Sequence, residues 1–217
     1  MIALKSHHLR AALHCAAKKD VRTYLNAVAV GVDAQQRFRV MSADGARAFV
    51  GWDEHPIWDT DANDEPMPQK GPFTIIIPRE TVEMALKAVG KAGLVPFVAL
   101  ASGRYCLATV QFAAIDARYP DMDRVIPNPA TAKPAETPNT VDPDLLSGAL
   151  AAMVEFTQAK KTRKDLFPLR HFHNGTVVYS SQSAVAVVMA LRVDDSDWQT
   201  PFMHRELADT TADTIAA

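Results

Sequence analysis

Two groups of side chains in this sequence have the chemistry of a metal site or a reactive centre. His171 and His173 are one residue apart, so they share a strand face that a metal ion could use. No cysteine or third histidine follows at a suitable spacing, and we predict no metal site. Cys15 follows His14, but neighbouring helical residues point about 100° apart and would not meet as nucleophile and base. With no Walker or G-x-G-x-x-G loop, the residues predict no enzyme and no cofactor, and Cys15 and Cys106 are interpreted as buried small hydrophobic residues.

Basic side chains recur at helical spacing near the start of the chain. His7, Arg10, His14 and Lys18 are three or four residues apart, so a helix here carries them on one face, opposite Leu9. Basic side chains on such a face can contact nucleic-acid phosphates without reading the base sequence. The other candidate phosphate-binding residues are Lys19, Arg22, Arg79, Lys87, Lys91, Lys160, Lys161, Arg163 and Lys164.

The overall charge limits how such binding could arise. The 217 residues contain 23 Lys and Arg against 25 Asp and Glu, which gives a net charge of −2. Binding to nucleic acid therefore has to come from locally clustered charge. The alternative is that the basic residues form ordinary solvated helix faces, and Glu80 and Glu83 among the candidates favour it for the second helix.

A threefold repeat supplies the elements that would position these residues. In each copy a short strand leads into an amphipathic helix with an Ala-Leu pair at its centre, and apolar residues such as Leu9 and Leu13 share one helix face. Asp142 followed by Pro143 is a favourable start for the third helix. The predicted pairs are strand 2–5 with helix 6–17, strand 73–78 with helix 79–89, and strand 140–141 with helix 142–154.

Sequence typical of β-hairpins follows each predicted helix. Ser102-Gly103 and Asn174-Gly175 lie between β-rich runs and predict tight turns. The sequence thus predicts an α+β fold of three strand-helix-antiparallel strand units, an odd number for a fold that pairs them. The predicted hairpin segments are 23–32 with 37–52, 96–101 with 104–116, and 169–173 with 176–180 and 184–193.

Two linkers organise the chain. Residues 53–72 are acidic and contain prolines, as in a solvated loop, whereas residues 128–139 contain three prolines and predict an extended connector. The predicted division is a two-unit domain at 1–127, the connector at 128–139, the third unit at 140–193, and a polar tail at 194–217 that is disordered or holds a short helix at 203–208.

Composition indicates a globular protein. Apolar residues make up 48% and charged residues 22% of the chain, which argues against wholesale disorder. No apolar run approaches the roughly 18 residues of a membrane span, and residues 1–5 have no signal-peptide pattern. We expect a cytoplasmic protein with reduced cysteines and no membrane partner.

Four motifs resemble the bacterial DNA polymerase III beta sliding clamp family. Residues 114–127, A-I-D-A-R-Y-P-D-M-D-R-V-I-P, resemble the end of the clamp's middle domain. D-V-R-T-Y-L-N at 20–26, followed by A-D-G-A-R at 43–47, is similar to the family's R-x-Y-L-N and T-D-G-x-R motifs. I-I-I-P-R at 75–79 is similar to V-I-V-P-R, and V-V-M-A-L-R-V at 187–193 to the family ending V-V-M-P-M-R-L.

The resemblance implies a DNA-clamp fold that is shorter than the family's. In the family each domain is a pair of units, and twelve units close a ring whose hole is lined by helices. By that resemblance this chain has one complete domain and an unpaired third unit, which would leave a sheet edge and an apolar helix face uncovered. We therefore expect self-association, and four chains would supply twelve units.

The resemblance also implies a hydrophobic groove that binds short peptides of polymerases, the clamp loader and repair proteins. Ala46, Ala48 and Ala190 stand where the family has larger residues or proline, which predicts a wider groove or a different ligand. Residues 199–202, Q-T-P-F, resemble a clamp-binding peptide and raise the option of a tail in its own or a neighbour's groove. The matching groove positions are Leu25, Gly45, Arg47, Pro120, Arg124, Val125, Val187, Met189, Leu191 and Arg192; the alternative for the aliphatic residues is a core-strand role.

The leading hypothesis is thus a non-enzymatic clamp-like accessory protein of a phage-type or mobile-element replication system. It would associate with duplex DNA without sequence specificity and tether a polymerase or related protein through the groove. The alternative is a protein-interaction module or inhibitor that binds clamp partners, or the host clamp, and needs no DNA.

Overall fold

Exchange of strands between the first two units builds the fold. The computed structural model describes residues 2–35, 37–53, 57–58, 73–90, 93–128, 131–159 and 167–191. The strands are β1 Ile2–Lys5, β2 Ala27–Val32, β3 Phe38–Ala43, β4 Arg47–Asp53, β5 Ile57–Trp58, β6 Phe73–Pro78, β7 Leu94–Ala99, β8 Tyr105–Leu107, β9 Val110–Phe112, β10 Leu169–His171, β11 Thr176–Ser180 and β12 Ala184–Met189. The helices are α1 Ser6–Leu13, α2 Arg79–Val89, α3 Met122–Val125 and α4 Pro143–Thr157, with a 3-10 turn at Thr23–Leu25.

Two antiparallel sheets result from this exchange. The five-stranded sheet has the order β5-β1-β7-β8-β9, and the seven-stranded sheet has the order β10-β11-β12-β4-β3-β2-β6. Strand β1 of the first unit pairs with β7 of the second, and β6 of the second unit pairs with β2 of the first. Neither unit can therefore complete its sheet alone. This confirms the α+β class of antiparallel sheets with few helices.

The helices start where the sequence predicts and end where local contacts require. Helix α2 spans the predicted residues, and α4 is capped by the Asp142 carboxylate, which accepts from the Asp144 amide at 2.8 Å. Helix α1 is shorter than predicted, because the Arg79 guanidinium donates to the Leu13 and Ala16 carbonyls at 3.0 and 2.8 Å. In a helix that continued to Ala17, the Leu13 carbonyl would accept from the Ala17 amide, which instead donates to the Leu25 carbonyl at 3.0 Å. The chain turns away after Leu13, so the predicted helix over 6–17 is wrong in its last turn.

The third unit joins the first unit within one chain. Strand β12 pairs with β4, with Val187 opposite Ala48, and so extends the sheet of the first unit. Helix α4 packs on α1, where the His8 ring stacks on Phe156 with centroids 4.1 Å apart. Its buried residues belong to the same core as those of the first two units. The predicted division at 128–139 stays a prediction.

The connector covers the edge of the third unit. The Ala135 amide donates to the His171 carbonyl at 2.9 Å, and the His173 amide donates to the Lys133 carbonyl at 3.0 Å. The Asn139 side-chain amide donates to the Phe172 carbonyl at 2.9 Å. The predicted uncovered helix face is wrong, because α1 packs on α4. The predicted open sheet edge is covered at 171–173 by the connector, whereas Leu169 and Arg170 of β10 are exposed. Self-association stays a prediction that no longer has this support.

One predicted strand is not formed. Residues 140–141 lie outside any strand, and the Thr140 carbonyl accepts a single bond from the Leu191 amide at 2.8 Å. The predicted single segment 37–52 is instead two strands, β3 and β4, joined by a turn at Gly45 with φ of 95°.

The predicted tail helix at 203–208 lies outside the described residues. In the described part of the chain, no helix is both long and apolar enough to cross a membrane.

We predict that Gly51→Ala destabilises the protein. An added Cβ would lie 2.2 Å from a ring carbon of Phe156, which is buried between α4 and β4. Overpacking of this kind costs about 1–3 kcal/mol, measured as the free energy of unfolding in urea. Gly93→Ala is the matched control, because its Cβ would meet nothing within 4 Å. Equal stability of the two variants would contradict the packing of α4 on β4.

We also predict that His8 makes stability fall in mild acid. Burial between α1 and α4 lowers the pKa of His8 from 6.5 to about 3, with smaller effects of His7, Lys5 and Asp53. Above pH 6.5 His8 is neutral in both states. Below pH 6.5 the histidine of the unfolded state binds a proton, whereas the buried His8 of the folded state stays neutral. The free energy of unfolding therefore falls by up to about 1.4 kcal/mol per pH unit until about pH 3.

The variant His8→Phe tests this prediction by removing one titrating group and keeping a stacked ring. Urea unfolding between pH 7.5 and 5 should show a shallower loss of stability than the parent. Burial also lowers the pKa of His7 and His14, so part of the loss remains in the variant. Identical pH dependence in both proteins would mean that His8 is protonated in the folded state.

Candidate functional site

A groove of about 280 Å³ forms where four separate segments of the chain meet. It lies beside the junction of β4 and β12, and it contains most of the groove residues that the sequence indicated. Those in its lining are Leu25, Gly45, Arg47, Pro120, Val125, Val187 and Met189. Ala46 and Ala48, which the sequence indicated as small residues of the groove, also line it. The lining residues that the sequence reasoning did not assign to it are Arg22, Tyr24, Ala43 and Met122.

Backbone bonds across the junction hold the walls together. The Met189 amide donates to the Ala46 carbonyl at 2.8 Å, just beyond the paired part of β12 and β4. The Asp44 carboxylate accepts from the amides of Ala46 and Arg47 at 3.0 and 2.9 Å and thereby fixes the turn before β4. The positive φ of Gly45 suits this turn because glycine carries no Cβ penalty there.

The base of the groove is apolar and its rim is partly exposed. Leu25, Ala48 and Val187 are buried, whereas the Met189 side chain is 44% exposed. The sequence left open whether the aliphatic residues line the groove or belong to core strands. Val187 does both, because it is buried and also part of the groove lining. Methionine is unbranched and flexible, so Met189 can adapt to ligands of different shape.

Arg47 has internal partners that the sequence did not predict. Its guanidinium donates to the Asp44 carboxylate at 2.8 Å and to the Asp144 carbonyl at 3.3 Å. It also lies over Gly148, where a Cβ would come within 1.9 Å of an Arg47 nitrogen. Arg47 thus ties the start of α4 to the groove, and its charge is already compensated by Asp44.

Two predicted groove residues, Arg124 and Leu191, lie apart from the cavity. The Arg124 side chain is 86% exposed and pairs with Asp121 at 3.2 Å, and it does not line the groove. Leu191 is exposed just beyond the groove wall and does not line it either. Arg192 lies outside the described residues.

The basic residues after α1 form a second surface next to the groove. Lys18, Lys19 and His14 line an open cavity of about 490 Å³ that shares Ala46 and Arg47 with the groove. Both lysines are exposed and lie on a loop, so their predicted place on a helix face is wrong. Burial lowers the pKa of His14 below 6.5, and Arg47 is paired with Asp44, so at pH 7 the two lysines supply the uncompensated positive charge here.

Several other candidate phosphate-binding residues have internal partners. Arg10 donates to the Gly90 carbonyl at 2.9 Å, and Arg22 pairs with Asp20 at 2.9 Å. This hydrogen-bonded pair lowers the pKa of Asp20 to about 2. The Arg79 side chain is only 13% exposed because it caps α1.

The remaining candidates divide by location. His7 is half-buried, and burial lowers the pKa of its imidazole, whereas Lys87 is exposed on α2. The charged residues of α4 are Asp144 and Glu155, so this helix is acidic. The candidates outside the described residues are Lys91, Lys160, Lys161, Arg163 and Lys164.

The cysteines have the environment of packing residues. Cys15 is fully buried, and this burial raises the pKa of its thiol to about 12, so the thiolate is not available as a nucleophile. Cys106 is half-buried, with its sulfur 3.2 Å from the Ala108 carbonyl. The interpretation as a small buried residue is confirmed for Cys15, and Cys106 is less buried than predicted.

Interlocked strand-helix-hairpin units, with a groove where the third unit joins the first, define a DNA-clamp fold. The solved structures that resemble this chain are bacterial DNA polymerase III beta sliding clamps, which confirms the resemblance in the motifs at the level of fold. No protein-family model matches the sequence. A search of curated proteins also finds no match.

Three comparisons show the extent of the likeness. A sliding clamp of Pseudomonas aeruginosa, solved with a ligand, has 15% identity and a TM-score of 0.63, covering 88% of this chain and 66% of that one. The Helicobacter pylori beta clamp bound to a DNA ligase peptide has 11% identity and a TM-score of 0.64, with the same coverage. A putative beta subunit of Eubacterium rectale has 10% identity and a TM-score of 0.60, with 88% and 65% covered. The chain thus spans just under two thirds of their length.

Proposed function

We propose that this protein is a sliding-clamp-like replication accessory protein that holds a partner protein by a short peptide in the groove. The convergence of four distant segments on one apolar groove at the β4–β12 junction carries the proposal. A groove is a reasonable place for a ligand, since it is concave, mostly apolar and close to the roughly 300 Å³ lower end of small-ligand sites. The Helicobacter pylori clamp, which shares the fold, was solved with a DNA ligase peptide.

The chemistry of the groove suits an extended peptide with one or two bulky apolar side chains. The base supplies apolar surface from Leu25 and Val187, and the small side chains of Ala46 and Ala48 leave room for a large anchor. The lysines of the adjoining cavity, Lys18 and Lys19, favour acidic residues next to that anchor. The partner is therefore a peptide with apolar anchors and acidic flanking residues.

The second part of the proposal is weak association with duplex DNA. Exposed Lys18, Lys19 and Lys87 would contact phosphates, while the net charge of −2 keeps the rest of the surface from binding nucleic acid broadly. Such contacts carry no sequence information and fall off steeply with salt.

A second candidate function is a protein-interaction module that works without DNA. The acidic helix α4 favours it, and so do the internal partners of Arg10, Arg22 and Arg79, because these reduce the positive charge available to phosphates. Peptide binding with no salt-sensitive DNA affinity would support this second candidate.

Peptide binding can be tested with Met189→Glu. A carboxylate at the rim of an apolar groove must lose water when a ligand binds, so we expect about tenfold weaker binding or more. The probe is a fluorescein-labelled peptide with a Leu-Phe pair between aspartates, measured by anisotropy. Met84→Glu is the matched control, since Met84 is 49% exposed on α2 and outside the groove. Equal loss in both variants would place the peptide elsewhere.

DNA binding can be tested with Lys18→Gln combined with Lys19→Gln. Loss of two phosphate contacts should lower the slope of log affinity against log salt by about 2, independently of the DNA sequence. The matched control is Lys133→Gln with Arg170→Gln, two exposed cations on the connector and on β10. A slope equal to that of the parent would exclude the loop after α1 as a DNA contact.

A further inference from the structure

We infer that residues 194–203 of the chain itself occupy the groove in the free protein, so that a partner peptide has to displace them. The inference rests on the proposed function of the groove and adds a form of regulation to it. The observations that carry it are the place where the chain leaves the groove wall, the residues that follow, and the charge beside the groove.

The chain leaves the third unit at the rim of the groove. Met189 lines the groove and bonds to Ala46, and two residues later the Leu191 amide donates to the Thr140 carbonyl at 2.8 Å. Trp198 follows Leu191 by seven residues, a reach of up to about 23 Å. The segment can therefore return to the groove without a long linker.

The segment has the chemistry that the groove selects. Its sequence is D-D-S-D-W-Q-T-P-F-M, in which three aspartates precede Trp198 and Phe202. Aromatic side chains of this size bury about 150–250 Å² each, which makes them strong anchors for an apolar base. Pro201 biases Thr200 towards an extended backbone, the form that a narrow groove accepts.

The charge next to the groove complements that of the segment. Lys18 and Lys19 are exposed in the adjoining cavity, and neither forms an ion pair with another residue of the described ranges. The two carboxylates of this cavity, Asp20 and Asp44, are already paired with Arg22 and Arg47. The segment carries the opposite charge on Asp194, Asp195 and Asp197, which come before Trp198 in the sequence. Attraction between opposite charges orients a bound peptide more than it adds to its affinity.

Attachment favours the chain's own segment over that of a second copy. A short flexible tether gives an effective concentration in the millimolar range, whereas a separate molecule is present only at its bulk concentration. Even weak intrinsic binding would therefore fill the groove from within the same chain.

The experiment is methyl-carbon-13 methionine NMR on the full chain. Met189 and Met122 line the groove, whereas Met84 lies on α2 and Met153 in the core under α4, so the two pairs report on the groove and on the rest of the fold. Trp198→Ala combined with Phe202→Ala removes both anchors. Thr210→Ala with Thr211→Ala is the matched control in the same tail.

We expect the Met189 and Met122 methyl resonances to shift in the anchor variant and to stay in place in the control, with Met84 and Met153 unchanged in both. The anchor variant should also bind the Leu-Phe probe about fivefold more tightly or better, because no internal segment competes. Unchanged groove methyls would overturn the inference. Shifts that disappear when the full chain is diluted would also overturn it, since the segment would then come from a second copy.

The two proposals fail in different ways. If the groove methyls shift but the probe binds neither protein, the segment occupies the groove and the proposed capture of partner peptides is wrong. If the probe binds both proteins equally and the methyls do not move, peptide capture stands and the internal occupant is excluded.

Discussion

The pairing of β12 with β4 is the constraint on which the rest of the structure depends. It places Val187 opposite Ala48 and brings the end of the third unit against the turn at Gly45, which creates the groove. The same pairing accompanies the packing of α4 on α1, and the main hydrophobic core contains buried residues of all three units. Stability and the candidate site therefore share one interface, and a change that separates the third unit would remove both.

Arg79 shows how a single side chain can redirect a surface. It donates to the carbonyls of Leu13 and Ala16 at the end of α1, where the chain leaves the helix and enters a loop. That loop carries Lys18 and Lys19 to the side of the groove. The capping arginine is thus largely withdrawn from the surface at the start of the loop that carries two other positive charges.

Sequence patterns predicted what depends on local periodicity. Helix α2, the Asp142 cap of α4 and the hairpin turns at Gly103 and Gly175 follow from neighbouring residues, and the structure contains them. The groove residues were found through motifs, since residues such as Leu25 and Val187 are far apart in the chain and no local pattern connects them. The role of each groove residue stays a prediction.

What could not be predicted depends on contacts between distant segments. Arg79 of the second unit caps the end of α1, and Arg47 donates to the Asp144 carbonyl of the third unit. Spacing alone cannot show that a basic residue already has an acidic or carbonyl partner. The contact between the connector and the edge of the sheet next to β10 was also not predicted. A proline-rich connector has no sequence pattern typical of a strand.

That connector also limits what the sheet can join. Where 133–135 runs along β10, the bridging residue is Pro134, which has no amide hydrogen to offer to a further strand, and Pro138 follows shortly after. Exposed sheet edges are templates for intermolecular strand addition and aggregation, and prolines at an edge are a common protection against both. A few residues of connector thus occupy one end of this sheet edge with a proline, which disfavours the addition of a further strand there.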